Sequence, residues 1–121
     1  MRKLLLAIFL CFLSISGYCQ TIPSKIVNRI SSTKGVYTSS QLVKYGEGQI
    51  LRVEYYTTSN NGGYAIYDAL NPGSSSNVIS EGVQAVATST GFNDYSSNPL
   101  RFTNGLYLTI TGTTSVIITY Q

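Results

Sequence analysis

The chain has 121 residues, of which 43% are hydrophobic, 12% aromatic and only 11% charged, enough for one domain with one core and too few for two. With an N-terminal targeting segment ending at Cys19, the remaining 102 residues hold six basic and five acidic side chains and no His, Cys, Trp or Met. That inventory excludes a His base, a Cys nucleophile, a His/Cys zinc site, a thiol redox pair and a disulfide, so neither an enzyme nor a cofactor is expected. A net charge of +1 speaks against nucleic acid as a partner.

The targeting segment comes first. Met1-Arg2-Lys3 supplies positive charge, residues 4–15 are apolar except for Ser14, and Ser16-Gly17-Tyr18-Cys19 follows with small residues at 17 and 19. This order predicts a signal peptide over 1–19, with Gln20 as the new N-terminus and an exported product, secreted or on the cell surface. The alternative is a retained membrane anchor over residues 4–19. Twelve to sixteen apolar residues in a helix span roughly 18 to 24 Å, short of the ~30 Å hydrocarbon core. Tyr18 before Cys19 and Leu10 before Cys11 disfavour lipid attachment.

Residues 20–36 combine Pro23 with Lys25, Arg29 and Lys34 and the apolar Ile22, Ile26, Val27 and Ile30, which reads as an N-terminal arm or an edge strand. From residue 37 onward, short β-rich runs are bounded by Gly, Asn, Ser and Pro. Residues 49–57 alternate, with Leu51, Val53 and Tyr55 on one face and Arg52, Glu54 and Tyr56 on the other. Asn60-Asn61-Gly62-Gly63 then predicts a hairpin to a strand over 64–70. A loop at 71–77, a short strand at 78–80, a Glu81-Gly82 turn and a strand at 83–88 follow, and residues 89–99 read as the longest loop. The strand at 100–103 and the one at 106–111 flank Asn104-Gly105, the strongest short hairpin signal, with Gly105 expected at positive φ. After Gly112-Thr113-Thr114, a last strand at 115–120 alternates Val116, Ile118 and Tyr120 against Ile117 and Thr119.

These runs predict an all-β fold, a single antiparallel β-sandwich over 37–121, jelly-roll-like, with seven or eight short strands. So few charges leave strand edges unguarded. The arm and the final strand are the expected edges, and self-association or docking on a larger protein assembly is the expected consequence.

Chemistry-bearing groups are sparse. Glu54 and Asp68 lie on strands expected to pair and are the one carboxylate pair with a reason to be close, yet Asp68 precedes a turn sequence and Glu54 shares a wet face with Arg52. Asn93, Asp94 and Asn98 offer oxygen atoms with too little charge for calcium, so no metal site is expected. The mature chain's nine tyrosines suit a protein-binding or carbohydrate-binding face. Tyr56, Tyr67 and Tyr107 fall on faces read as polar or, for the last strand pair, partly covered, which makes them the better candidates for exposure; with Ile22, Ile26 and Ile30 of the arm they form the candidate interaction surface. Asn61, Gly62, Asn104 and Gly105 are assigned to turns.

Four segments occur in order: Gly46-Glu47-Gly48-Gln49-Ile50-Leu51-Arg52-Val53; Ala65-Ile66-Tyr67-Asp68; the run from Leu100-Arg101-Phe102-Thr103-Asn104-Gly105-Leu106 to Gly112; and Ile117-Ile118-Thr119-Tyr120. Over residues 35–121 the chain resembles small all-β structural proteins of bacteriophages and prophages. That resemblance implies a non-enzymatic virion subunit, as a minor capsid, decoration or spike protein, with no catalytic residues. A virion with a lipid layer reconciles it with the apolar N-terminus, residues 4–19 then serving as an anchor. The competing expectation is a secreted binding module for carbohydrate or protein.

Overall fold

The computed structural model describes residues 31–73 and 76–121. Among these there is no helix, and nine strands follow one another: β1 (Thr33–Tyr37), β2 (Gln41–Tyr45), β3 (Gly48–Thr57), β4 (Gly62–Asp68), β5 (Val78–Gln84), β6 (Ser89–Asp94), β7 (Leu100–Phe102), β8 (Gly105–Thr111) and β9 (Thr114–Tyr120). They form two antiparallel sheets. One has the order β1-β9-β3-β6, with β7 also on β3, and the other has the order β2-β8-β4-β5.

Period-two alternation builds the core between the sheets. Ile50, Val53 and Tyr55 of β3 and Val116 and Ile118 of β9 point inward from one sheet; Tyr64 and Ile66 of β4 and Leu106 and Leu108 of β8 meet them from the other, with Phe102 closing one end. Within β3 the register against β9 slips between Ile50 and Arg52. This bulge puts Ile50 in the core where alternation alone would place Leu51, which stays half-buried.

The pairing departs from the expected hairpins. β3 and β4 lie in different sheets, so Asn60-Asn61-Gly62-Gly63 carries the chain across the sandwich instead of reversing it within a sheet. The same holds at Asn104-Gly105, because β7 pairs with β3 while β8 sits between β2 and β4. Positive φ occurs at Gly46, Gly112, Asn61 and Thr88, not at Gly105 or Gly62. The final strand is no edge either: β9 is flanked by β1 and β3. Neither expected hairpin joins neighbours in a sheet; the segment at 71–77, expected as a loop, links the paired strands β4 and β5.

The count reaches nine, although the strands expected at 78–80 and 83–88 are one strand, β5, because two further strands form: β2, in a stretch where no strand was placed, and β6, which occupies most of the segment expected to be a loop. Its inward residues are Ser89, Gly91 and Asn93, while Phe92 faces out, the reverse of the usual apolar-in pattern. Glu81-Gly82 likewise lies inside β5, and that strand stops at Gln84 instead of running through 88. Both glycines are explained by Tyr55. A Cβ at Gly82 would stand 2.8 Å from its ring, and one at Gly91 would run into the same ring.

Side chains then fasten the β5 edge of one sheet to the β6 edge of the other. Asn93 Nδ2 donates to Tyr64 Oη at 2.7 Å, Ser80 Oγ lies 2.9 Å from Tyr64 Oη and 3.0 Å from Tyr95 Oη, and Gln84 Nε2 donates to Tyr55 Oη at 3.2 Å. Burial pushes the Tyr64 phenol above its ordinary range in spite of its bonds with Ser80 and Asn93, so this phenol stays neutral at pH 7. Among the described residues, no side-chain hydrogen bond of this kind joins β1 to β2 on the other side.

Candidate functional site

Alternation in β3 sends Arg52, Glu54 and Tyr56 to the outer face of the β1-β9-β3-β6 sheet. Register places Ile117 of β9 and Phe92 of β6 on either side of Glu54, with Val36 of β1 beyond Ile117. Together these side chains line a shallow groove of about 360 Å³. Phe92 and Val36 are 65% and 66% exposed and Tyr56 is 42% exposed, so the groove walls are apolar and open to solvent. Arg52 Nε meets Glu54 Oε1 at 2.8 Å, and the guanidinium sits 5.3 Å from the centre of the Phe92 ring. Exposed as this pair is, it contributes little to stability, and the guanidinium also lies within cation–π reach of Phe92.

The outer face of the second sheet carries a different surface. Leu42, Tyr107, Tyr67 and Val78 stand in register across β2, β8, β4 and β5. Tyr67 and Tyr107 are half-buried by one another and by these neighbours, and Val78 and Val83 of the edge strand are exposed. The three tyrosines singled out from the sequence therefore divide between opposite faces: Tyr56 on one, Tyr67 and Tyr107 on the other. Ile22, Ile26 and Ile30, together with the segment 1–19, lie outside the described residues.

The structure separates the carboxylates that the expected hairpin would have paired. Glu54 is on the outer face of one sheet, and Asp68 ends β4 in the other. Asp68 Oδ1 accepts the N–H groups of Thr103, Asn104 and Gly105 at 3.0, 2.7 and 3.3 Å, and Oδ2 accepts the Thr103 hydroxyl at 3.0 Å. Burial raises its pKa, but these hydrogen bonds outweigh burial and hold the carboxyl below its ordinary range. It is a turn cap. Asn93 and Asp94 also diverge, since Asn93 faces the interior while exposed Asp94 accepts the Ser96 N–H at 2.9 Å.

A second hollow of about 330 Å³ lies where β3, β7 and the last residue meet, lined by Glu47, Gln49, Arg101, Thr103 and Gln121. Gln121 closes it by donating to Gln49 Oε1 at 3.1 Å.

Phe92, Val36 and Val83 are surface residues that the sequence reading did not single out. Phe92 is the one apolar side chain in Thr90-Gly91-Phe92-Asn93-Asp94, so apolar alternation does not mark this strand, whose inward side is polar.

Comparison of the chain with models of known protein families, with curated proteins and with solved structures found no match.

Proposed function

We propose that this chain is a non-enzymatic assembly subunit, virion-associated or displayed on a surface, with the sandwich topology of a jelly roll. The carrying observation is that both outer faces of the sandwich expose apolar side chains: Val36, Tyr56 and Phe92 on one, Val78 and Val83 beside the Leu42-Tyr107-Tyr67 stripe on the other. A domain that works alone needs at most one such face; a subunit with neighbours on two sides uses both. The order β1-β9-β3-β6 against β2-β8-β4-β5, with β7 as an addition, supports the jelly roll, an architecture of capsid and lectin domains. The resemblance to phage structural proteins over residues 35–121 points the same way, and the apolar N-terminal segment suits export or anchoring of the subunit.

The groove beside Arg52 and Glu54 favours the second reading, a secreted module that holds carbohydrate or protein. Light scattering on the full chain, in the form the expressing cell leaves it, separates the two. The subunit reading expects mass to rise with concentration between about 1 and 100 µM, a range chosen to span Kd values typical of moderate association. A monomer throughout, retained by an immobilised glycan, would favour the module. Intact mass of the same material reports whether residues 1–19 are removed.

A further inference from the structure

We propose that the groove on the outer face of the β1-β9-β3-β6 sheet binds a neutral oligosaccharide, with Phe92 and Tyr56 against the sugar rings and Arg52 and Glu54 on their hydroxyls. The inference rests on the second reading for this face alone, choosing between its two ligands, and leaves the face of Val78 and Val83 to assembly.

Register lays the outer face out in three rows across the strands. Lys34, Thr119, Arg52 and Asp94 form the first, Val36, Ile117, Glu54 and Phe92 the second, and Ser115, Tyr56 and Thr90 the third. The middle row is apolar except at Glu54, with charged groups on one side of it and three hydroxyls on the other. Tyr56 and Phe92 are diagonal neighbours across β3 and β6, about 7 to 8 Å apart, close enough for one sugar residue to touch both. The face of an aromatic ring is electronegative and the C–H side of a sugar is weakly positive and apolar, so the two stack. At about 360 Å³ the groove stands at the lower end of the ~300–1,000 Å³ range of small-molecule sites.

The charges decide the class of ligand. Lys34 and Arg52 balance Glu54 and Asp94, so the face offers a charged polymer no net attraction. Arg52 Nε and Glu54 Oε1 meet at 2.8 Å, which leaves terminal guanidinium N–H groups as donors and carboxylate lone pairs as acceptors. Neighbouring sugar hydroxyls, each a donor and an acceptor, can replace the water that both groups lose. An apolar protein surface cannot; pressed onto these rows, it would dehydrate the ion pair without supplying new hydrogen bonds, a net cost. Nor does the middle of a sheet face offer the unpaired N–H and C=O groups with which an edge holds a peptide strand. The stripe Leu42-Tyr107-Tyr67-Val78 on the opposite face contains no charged residue and presents no such obstacle to a protein neighbour.

The test titrates the full chain, by isothermal calorimetry, with neutral hexasaccharides of glucose, mannose, xylose and N-acetylglucosamine, and with an alginate hexasaccharide as the anionic comparison. At least one neutral probe should bind with a Kd of about 10 µM to 1 mM, and alginate more weakly. Phe92→Ala and Glu54→Gln should each weaken that binding at least tenfold, while Val83→Ala on the opposite sheet leaves it unchanged. Phe92 is 65% exposed, and a circular dichroism melt checks that each variant folds. Neutral binding that survives Phe92→Ala and Glu54→Gln overturns the groove as its site and leaves the second reading standing. Preference for alginate overturns the neutral ligand. Binding of no neutral probe overturns the inference and the carbohydrate reading together, and if Phe92→Ala then reduces concentration-dependent mass in light scattering, the face belongs to a protein neighbour.

Discussion

Asn61-Gly62 and Asn104-Gly105 look alike in sequence, yet the structure secures them by different physics. Each stands between two β-rich runs, and each carries the chain from one sheet to the other. At the first, Asn61 takes a φ of 55° and Gly62 packs onto buried hydroxyls: Thr57 Oγ1 accepts the Ser59 N–H at 3.2 Å, and Ser59 Oγ accepts the Thr113 N–H at 2.8 Å. At the second, no positive φ is used and one carboxylate, Asp68, gathers three successive N–H groups. A crossing built on neutral hydroxyls depends on packing and uncharged hydrogen bonds. One built on an anion depends on pH.

The largest expected effect is at the packed crossing. A side chain at Gly62 would overlap Thr57 Oγ1 and stand 2.8 Å from Ser59 Oγ and 2.9 Å from Thr114 Oγ1. Gly62→Val should lower stability by roughly 3 kcal/mol, read as a shift of the urea midpoint at neutral pH. No shift would mean that the hydroxyl cluster is not tightly packed.

Asp68→Asn comes next, at about 2 kcal/mol near pH 7, because an amide oxygen replaces the carboxylate that accepts these donors. Asp68 is held below its ordinary pKa in the fold, so its contribution is present above the unfolded value and lost as pH falls through the folded one. Wild type and variant should therefore converge below about pH 4. A gap that stays constant down to pH 2 would remove the charge from the account of this turn. Gly62→Val should show no such convergence, which makes the pair of titrations the sharpest form of the comparison.

At Gly105 a Cβ would meet Leu70 Cδ2 at 2.8 Å and two carbonyl oxygens at 3.2 Å. Leu70 is exposed and free to move, so Gly105→Ala should cost only about 1 kcal/mol, with steric crowding and not backbone strain as the cause. A loss as large as that of Gly62→Val would erase the distinction between the two crossings. The smallest effect is at Asn61, whose left-handed backbone glycine adopts freely. Asn61→Gly should change the midpoint by no more than about 0.5 kcal/mol.

The candidate surface was legible in part, for reasons visible at single residues. Tyr56 alternates with Arg52 and Glu54 in a regular strand, and its exposure follows from that pattern. Phe92 was hidden because its strand turns Gly91 and Asn93 inward, and those choices make sense only beside the Tyr55 ring and the Tyr64 hydroxyl contributed by distant strands. Alternation placed Tyr67 and Tyr107 on polar or partly covered faces, but their pairing across β4 and β8, which sets them on the face opposite Tyr56, is a tertiary fact.

By itself the sequence determined where the regular strands β3, β8 and β9 run, which residues of β8 and β9 face inward, and that the loop at 71–77 joins two strands, since alternation and turn composition are local properties read at a spacing of two residues. Only the tertiary structure decided which strands pair, that Asn-Gly steps become crossings between sheets, and that the last strand is interior. Those outcomes depend on which apolar face meets which across the sandwich, and on acceptors such as Asp68 lying 35 residues from the N–H of Thr103 that they satisfy.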